Sequence, residues 1–274
     1  MANKLTRLLQ NSPLVMGVLN VTPDSFSDGG DFSDHDKAVG RALQMIKDGA
    51  HIIDVGGESS RPGSEPVSMD EELFRTIFVI KDIRKKSDIT ISIDTTKASV
   101  ARDAIASGAD MINDISAGMF DPEMFAVAAK ADVPICLMHM RGNPKTMQEG
   151  SIHYDDVVGE ICQYLEERIA SAIKAGIRRE NIIIDPGIGF GKTVEHNVTI
   201  LKELSRLKPF SCPILVGTSR KTFVGHLLGG IGPKERLEGT LATIGIALKN
   251  GASILRVHDA LAARRFLAVL TALS

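Results

Sequence analysis

Apolar positions along this chain gather into eight short runs, at 14–19, 52–55, 89–93, 111–112, 134–138, 182–184, 213–216 and 254–257. Runs of this length, rich in Ile, Val, Leu and Met, predict strands. Between them the apolar positions take helical spacing, as at Ala38, Leu43 and Ile46 or at Leu73, Ile77 and Ile80. The helix starts carry their own signals. Ser68 and Glu71 stand at capping-box spacing, and Asp121-Pro122-Glu123 puts proline at a first helical position.

One local pattern recurs three times and sets the register: Gly49-Ala50-His51-Ile52-Ile53-Asp54, Gly108-Ala109-Asp110-Met111-Ile112-Asn113 and Gly251-Ala252-Ser253-Ile254-Leu255-Arg256. Each glycine can end a helix in the left-handed conformation. The apolar pair then enters a strand, so Asp54, Asn113 and Arg256 should hold equivalent positions near three strand ends. Strand and helix alternating eight times leaves a closed barrel or an open doubly wound sheet. Eight units favour closure, no linker divides the chain, and no nucleotide fingerprint comes after the first strand. The expected architecture is a (β/α)8 TIM barrel, one domain spanning 1–274.

Composition narrows the function classes. Hydrophobic residues at 43% and charged residues at 24% fit a soluble protein with a sizeable core. A net charge of −2 offers no basic stripe for nucleic acid. No apolar run approaches the length of a membrane span, and no leader or cleavage pattern opens the chain. The three cysteines, Cys136, Cys162 and Cys212, have no metal or redox spacing and are expected as buried free thiols in a reducing cytoplasm.

Each expected strand leads into polar residues: Asn20, Asp54 with Glu58, Asp94, Asn113 with Asp114, His139, Asp185, Ser219 with Lys221, and Arg256 with His258. A helix cap or loop hydrogen bond accounts for any one of them. Eight together describe a ring at the carboxyl ends, where such barrels carry their chemistry. Arg256 and His258, two apart on a strand, point the same way and fit one anion, with arginine offering a two-pronged grip. A lone lysine is ordinarily solvated surface, but Lys221 comes after a strand beside a Gly-Thr-Ser turn and is a ligand candidate. His139 ends a strand; His35, His51, His153, His196 and His226 show no metal-ligand spacing and are expected to be structural.

Two connections, 21–36 and 59–68, are too long and too rich in Gly, Ser, Asp and Pro for simple turns and are expected to act as lids. Phe26 is an apolar residue in the first of them, placed to close over a flat ligand or to anchor the loop. The segment Asp185-Pro186-Gly-Ile-Gly-Phe190-Gly-Lys192-Thr193 misses the P-loop pattern because proline takes the place of its first glycine. That proline biases Asp185 toward extended backbone, which aims its carboxylate into the mouth of the barrel. The glycines flanking Phe190 let backbone and ring approach a ligand closely.

These segments, taken in order, closely resemble the dihydropteroate synthase family: GVLNVTPDSFSDGG, DVGGESSRPG, SIDTTK, NDISAG, LMHMRGNPKTMQ, DPGIGFGK, GTSRK and RVHD. The match covers nearly the whole chain. One departure is Ser60, where the family often has threonine; the hydroxyl is kept. The resemblance implies a barrel, commonly a homodimer, that joins a 7,8-dihydropterin-6-ylmethyl diphosphate to 4-aminobenzoate with Mg2+, a reaction sensitive to sulfonamides. Carried onto this chain, it gives the pterin to Asp94, Asn113, Asp185 and Lys221. It gives the diphosphate to Asn20, Ser60, Arg256 and His258, with Asn20 as metal ligand. Thr22, Phe26, Arg61, Pro62, Phe190 and Ser219 would frame 4-aminobenzoate, and Asp94, Lys221, Arg256 and His258 would carry the chemistry.

Three other readings remain open on the sequence. A methyltetrahydrofolate methyltransferase would share the pterin pocket without a diphosphate site. A non-catalytic pterin-binding homologue would lack the second subsite. A Schiff-base aldolase would use Lys221 as nucleophile.

Overall fold

The structure is a computed structural model that describes residues 4–10, 12–22 and 31–273, the side chains of 31–34 excepted. Eight strands lie parallel in one sheet: β1 (Leu14–Asn20), β2 (Ile52–Gly56), β3 (Thr90–Asp94), β4 (Met111–Asp114), β5 (Ile135–Met138), β6 (Ile182–Asp185), β7 (Leu215–Val216) and β8 (Ile254–Val257). All eight expected runs form strands, and the spatial order β6-β5-β4-β3-β2-β1-β8-β7 tracks the chain around a ring. Closure falls on the weakest strand. Ile214 bridges to Ile184 in parallel register, while Leu215 and Val216 pair with β8. The expected run at 213–216 is therefore divided between two neighbours, and only its end forms a regular ladder.

Beneath the sheet lies α1 (Lys4–Leu9), and around it run α2 (Asp31–Lys47), α3 (Met69–Lys86), α4 (Ala98–Ala106), α5 (Met124–Ala131), α6 (Val157–Lys174), α7 (Val194–Lys202), α8 (Thr222–Leu227), α9 (Leu237–Lys249) and α10 (Ala260–Ala272). The connection expected over 21–36 is shorter at its far end, because α2 begins at Asp31. Phe26 lies outside the described residues. Gly49, Gly108 and Gly251 have φ of +92°, +113° and +110°, the left-handed helix ends that the threefold pattern required.

Two helix starts differ in detail from expectation. Ser68 Oγ caps α3 by accepting from Glu71 N, but Glu71 does not return the bond; its carboxylate accepts from Arg75 Nε at 2.8 Å, a charge-assisted alternative. The helix expected at Pro122 begins at Met124 instead. Asp121 explains the delay: its carboxylate accepts from Glu123 N at 3.0 Å and from Ala98 N at 2.8 Å, so it also caps α4, whose own N-cap Lys97 supplies no side-chain bond. Asp121→Ala should lower stability by about 1–2 kcal/mol, the upper part of the range for a lost cap because two amides lose their acceptor. An unchanged urea midpoint would contradict that assignment.

Strand alternation separates two cores. Outward residues such as Val15, Ile53, Ile91, Ile112, Ile184 and Leu255 pack with the helices in the larger cluster. Inward residues Leu14, Met16, Ile52, Met111, Cys136, Ile183, Leu215 and Ile254 fill the lower barrel, closed from below by Leu5 of α1. One step further along five of the strands the inward residues are polar: Asp54, Ser92, Asn113, Asp185 and Arg256. The barrel is a sealed apolar plug beneath a charged mouth. Among the cysteines, Cys136 and Cys212 are buried and all three are free thiols, while Cys162 is only half-buried.

Candidate active site

The residues that the threefold pattern aligned are bonded to one another. Asp54 Oδ2 accepts from Arg256 Nε at 2.6 Å and from Asn113 Nδ2 at 3.1 Å. Arg256 reaches on with its second nitrogen to Asp94 Oδ2, also at 2.6 Å. Both prongs of the guanidinium are thus held by carboxylates inside the barrel, so Arg256 does not stand free as the anion grip expected from its spacing. Asp54 is fully buried, and its Oδ1 has no hydrogen-bond partner among the described residues. The sequence lined up Asp54 with Asn113 and Arg256 without assigning it a task. Its position shows one: it orients both, and through Arg256 it reaches Asp94.

Burial pushes Asp94 above the ordinary carboxylate range, against the opposing pull of Arg256. Asp185, at the end of β6, is raised to about 6 by burial, opposed by the Gly187 amide and by Lys221 and Arg256. Its Oδ1 accepts from Gly187 N at 2.7 Å, a turn whose glycine is required: at φ +69° a Cβ there would collide with the His139 carbonyl oxygen. Across the mouth, the Lys221 ammonium lies 4.1 Å from the centre of the Phe190 ring. Burial, aided by Arg256, lowers Lys221 to about 8.

His258 differs from its expected character. Burial, then the nearby Arg256, lowers it to about 3, so the ring is neutral near pH 7 and serves as a hydrogen-bonding group, not a cation. Its Nδ1 lies 3.0 Å from Ser219 Oγ, which also accepts from His258 N at 3.1 Å. Ser219 and His258, assigned to different ligands from the sequence, form one unit. Arg41, on α2, donates to the His258 carbonyl at 3.1 Å.

The first strand ends at half-buried Asn20, whose side chain makes no hydrogen bond among the described residues; Thr22 lies two positions on. Ser60 lines a small, partly open pocket beside Asp94, together with Glu58, Glu72 and Ile115. Arg61 and Pro62 are exposed on the same connection, apart from the buried cluster. That connection is closed at its base, where Glu58 accepts from Val67 N at 3.2 Å and binds Lys97, which also holds buried Glu72 at 2.6 Å. Gly63 N donates to Pro144 O at 3.1 Å, docking its middle on the connection after β5.

Four residues support the site in ways that the sequence did not assign. Asp114 gathers Ser116 N, Ser116 Oγ and Gly118 N at 2.6–2.8 Å and so shapes the turn after β4. Lys97 and Glu72 anchor the connection after β2. Lys192 is 3% exposed behind Phe190 and is lowered to about 7, chiefly by burial. Asp114 had a signal, its place at a strand end beside Asn113; Lys97 is 25 and 39 positions from Glu72 and Glu58, and Lys192 is 53 positions from His139. Of the other histidines, His51 accepts from Val15 N at 2.9 Å and His196 completes the cap of α7, structural tasks as expected.

An apolar plug, a mouth of paired acids and bases, and a wall formed by Ile115, Met138, Met140, Met147 and Phe190 suit a flat polar heterocycle with an apolar neighbour. Residues 16–258 match the family described as pterin binding enzyme, and the chain belongs to that class of barrel enzymes. It is 54% identical to the dihydropteroate synthase of Synechocystis over 89% of this chain and 84% of the relative. Xanthomonas albilineans dihydropteroate synthase with 4-aminobenzoic acid superposes with a TM-score of 0.91 at 43% identity, covering 96% of this chain and 93% of that one. The same enzyme in complex with 7,8-dihydropteroate gives 0.87 at 41% identity, covering 96% and 94%. Within the pterin-binding class, the chain belongs to the dihydropteroate synthase family.

Proposed function

We propose that this chain condenses 7,8-dihydropterin-6-ylmethyl diphosphate with 4-aminobenzoate to give 7,8-dihydropteroate and diphosphate. The observation that carries this is the juxtaposition, in one buried mouth, of acceptors Asp185 and Asp94 with donors Lys221, Asn113 and Arg256. A pterin edge presents adjacent N–H donors and a carbonyl, and a carboxylate beside an ammonium complements both. Asp185 accepts from the ring and exocyclic N–H groups, Lys221 donates to the carbonyl, and Asn113 completes the edge.

Cleavage of the methylene carbon–oxygen bond sends the electron pair to diphosphate and leaves positive charge on the pterin methylene. Asp94, held inside the mouth by Arg256, is the carboxylate assigned to stabilise the cation. The arylamine of 4-aminobenzoate is neutral near pH 7, so it attacks the methylene without a strong base and releases its proton after the carbon–nitrogen bond forms. Phe190 and Ser219, with Thr22, Phe26, Arg61 and Pro62 on the two connections, frame the aromatic acid. Ser60 and the Ser219–His258 unit receive the diphosphate, with Arg256 turning partly toward it. The connections that come after β1 and β2 are assigned the exclusion of water from the cation.

Mg2+ fits as a metal that arrives with substrate. Among the described residues no group of three His, Cys, Asp or Glu side chains could hold a metal alone. Asn20 offers a single amide oxygen, and magnesium commonly takes one or two protein oxygens with phosphate oxygens and water. Bound there, it would draw negative charge from the leaving diphosphate.

A homodimer in the cytoplasm is the remaining part of the proposal. Exposed Leu227 on α8, Ile246 on α9 and Val269 on α10 support a partner face, and the free thiols support a reducing compartment. No helix among the described residues is long and apolar enough to cross a membrane.

The test is product formation by purified protein with both substrates and Mg2+, with sulfonamides competing against 4-aminobenzoate. Its pH profile carries a signature. Asp185 and Asp94 both act ionised and are raised to about 6 and about 7, so kcat/KM for the pterin diphosphate should rise across about pH 6 to 7. It should fall again through about pH 8 as Lys221 loses its proton. A flat profile from pH 5 to 9 would count against both assignments.

A further inference from the structure

We propose that Lys192 is a positioning residue: from behind the mouth it fixes the backbone that carries Phe190, and so sets how 4-aminobenzoate is held. The inference rests on the function proposed above and adds to it a residue outside the ring of ligand candidates. Lys192 Nζ lies 2.9 Å from His139 Nδ1, donates to Phe190 O at 3.0 Å and reaches His139 O at 3.4 Å. None of these partners is a carboxylate. A buried ammonium held only by neutral acceptors is costly, and a lysine is seldom found so unless its three donors serve a geometry that an apolar side chain cannot.

That geometry joins the connections after β5 and β6. The His139 ring meets Tyr164 edge-on at 5.0 Å, and the hydroxyls of Tyr164 and Tyr154 donate to Ser116 O and Gly191 O. The two connections are pressed so closely that a Cβ on Gly191 would stand 2.6 Å from Arg141 Cβ. The wall that faces the ligand is apolar, while its back is a polar staple with Lys192 at the centre. Because Phe190 is flanked by glycines, its own backbone resists displacement weakly. Phe190 N donates to Gly187 O and the flanking glycines are tied to Asn197 and Tyr154, but the Phe190 carbonyl itself is held by Lys192. The ring it steadies also lies beneath the Lys221 ammonium.

The test compares Lys192→Met and Lys192→Gln with Phe190→Leu and with the double variant Lys192→Met/Phe190→Leu, both substrates varied. The expected result is a KM for 4-aminobenzoate raised about tenfold, with the KM for pterin diphosphate within about threefold of the unmodified chain. The double variant should be no worse than Phe190→Leu alone, because Lys192 acts through that ring. An unchanged 4-aminobenzoate KM, an equal rise in both constants, or additive losses would overturn the proposal in favour of a purely structural lysine. If neither variant folds, nitrogen-resolved NMR of the unmodified protein decides. His139 should be the Nε2–H tautomer with Nδ1 accepting from Lys192, and the Nδ1–H tautomer would overturn the contact. Absence of turnover by the unmodified chain would strike the proposed reaction instead, and the tautomer measurement would still decide the Lys192 contact.

Discussion

Arg256→Met should both destabilise the fold and abolish turnover. The guanidinium is bonded to Asp54, which has no exposure, and to Asp94, whose side chain is 11% exposed. Removing the cation leaves two carboxylates facing each other in the barrel with no counter-charge. Breaking a buried pair in this way costs about 3–5 kcal/mol, most of it the desolvation of the abandoned charge. The double variant Arg256→Met/Asp54→Asn separates stability from function. It removes one of the two stranded charges, so the thermal midpoint should return part of the way toward that of the unmodified chain while activity stays lost. Stability unchanged in the single variant, or activity recovered in the double, would refute the role given to Arg256. The same substitution discriminates between enzyme classes. A synthase should lose affinity for diphosphate with Arg256, whereas a pterin-binding methyltransferase, which has no departing diphosphate, has no such affinity to lose.

Lys221→Met should reduce kcat/KM by about a hundredfold or more, the scale for losing a charged donor that meets developing or conjugated charge in a dry site. Its effect on stability has the opposite sign. Lys221 is lowered to about 8 in the folded chain from 10.5, so folding releases a proton and stability rises with pH between those values. Below pH 8 the buried ammonium works against folding. Replacing it with an apolar side chain of similar length should therefore leave the thermal midpoint at pH 7 unchanged or higher, a trade of stability for activity common at ligand sites. A lower midpoint with full activity would mean that the lysine is structural. Persistence of turnover after borohydride treatment with substrate would dispose of a Schiff-base mechanism.

The differences between sequence and structure have a common origin. Helix starts are legible in the sequence as positions but not as partnerships. Asp121 signals the start of one helix and serves two, because Ala98 N, distant in sequence, is brought within 2.8 Å. The place of His258 two residues beyond Arg256 suggests part of an anion grip; burial, which sequence does not state, makes it neutral. Arg256 and His258 share a strand face and so suggest an anion grip. The arginine fork is instead drawn inward by Asp54, a residue 202 positions away in the chain. Lys192 carries no signal beyond membership of a glycine-rich segment, since its partner His139 lies on the preceding strand end.

By itself the sequence determined the eight strands, their alternation with helices, the threefold glycine register, and the face on which polar groups would gather. Those are local properties: side-chain period, helix termination and the conformational reach of glycine act over a few residues. Only the tertiary structure decided which charges pair, which are neutral, and which lysines line the mouth or stand behind it. Hydrogen bonds and burial depend on distances between strands that meet through barrel closure, and a shift of an ångström between distant segments changes a partner without changing any local pattern.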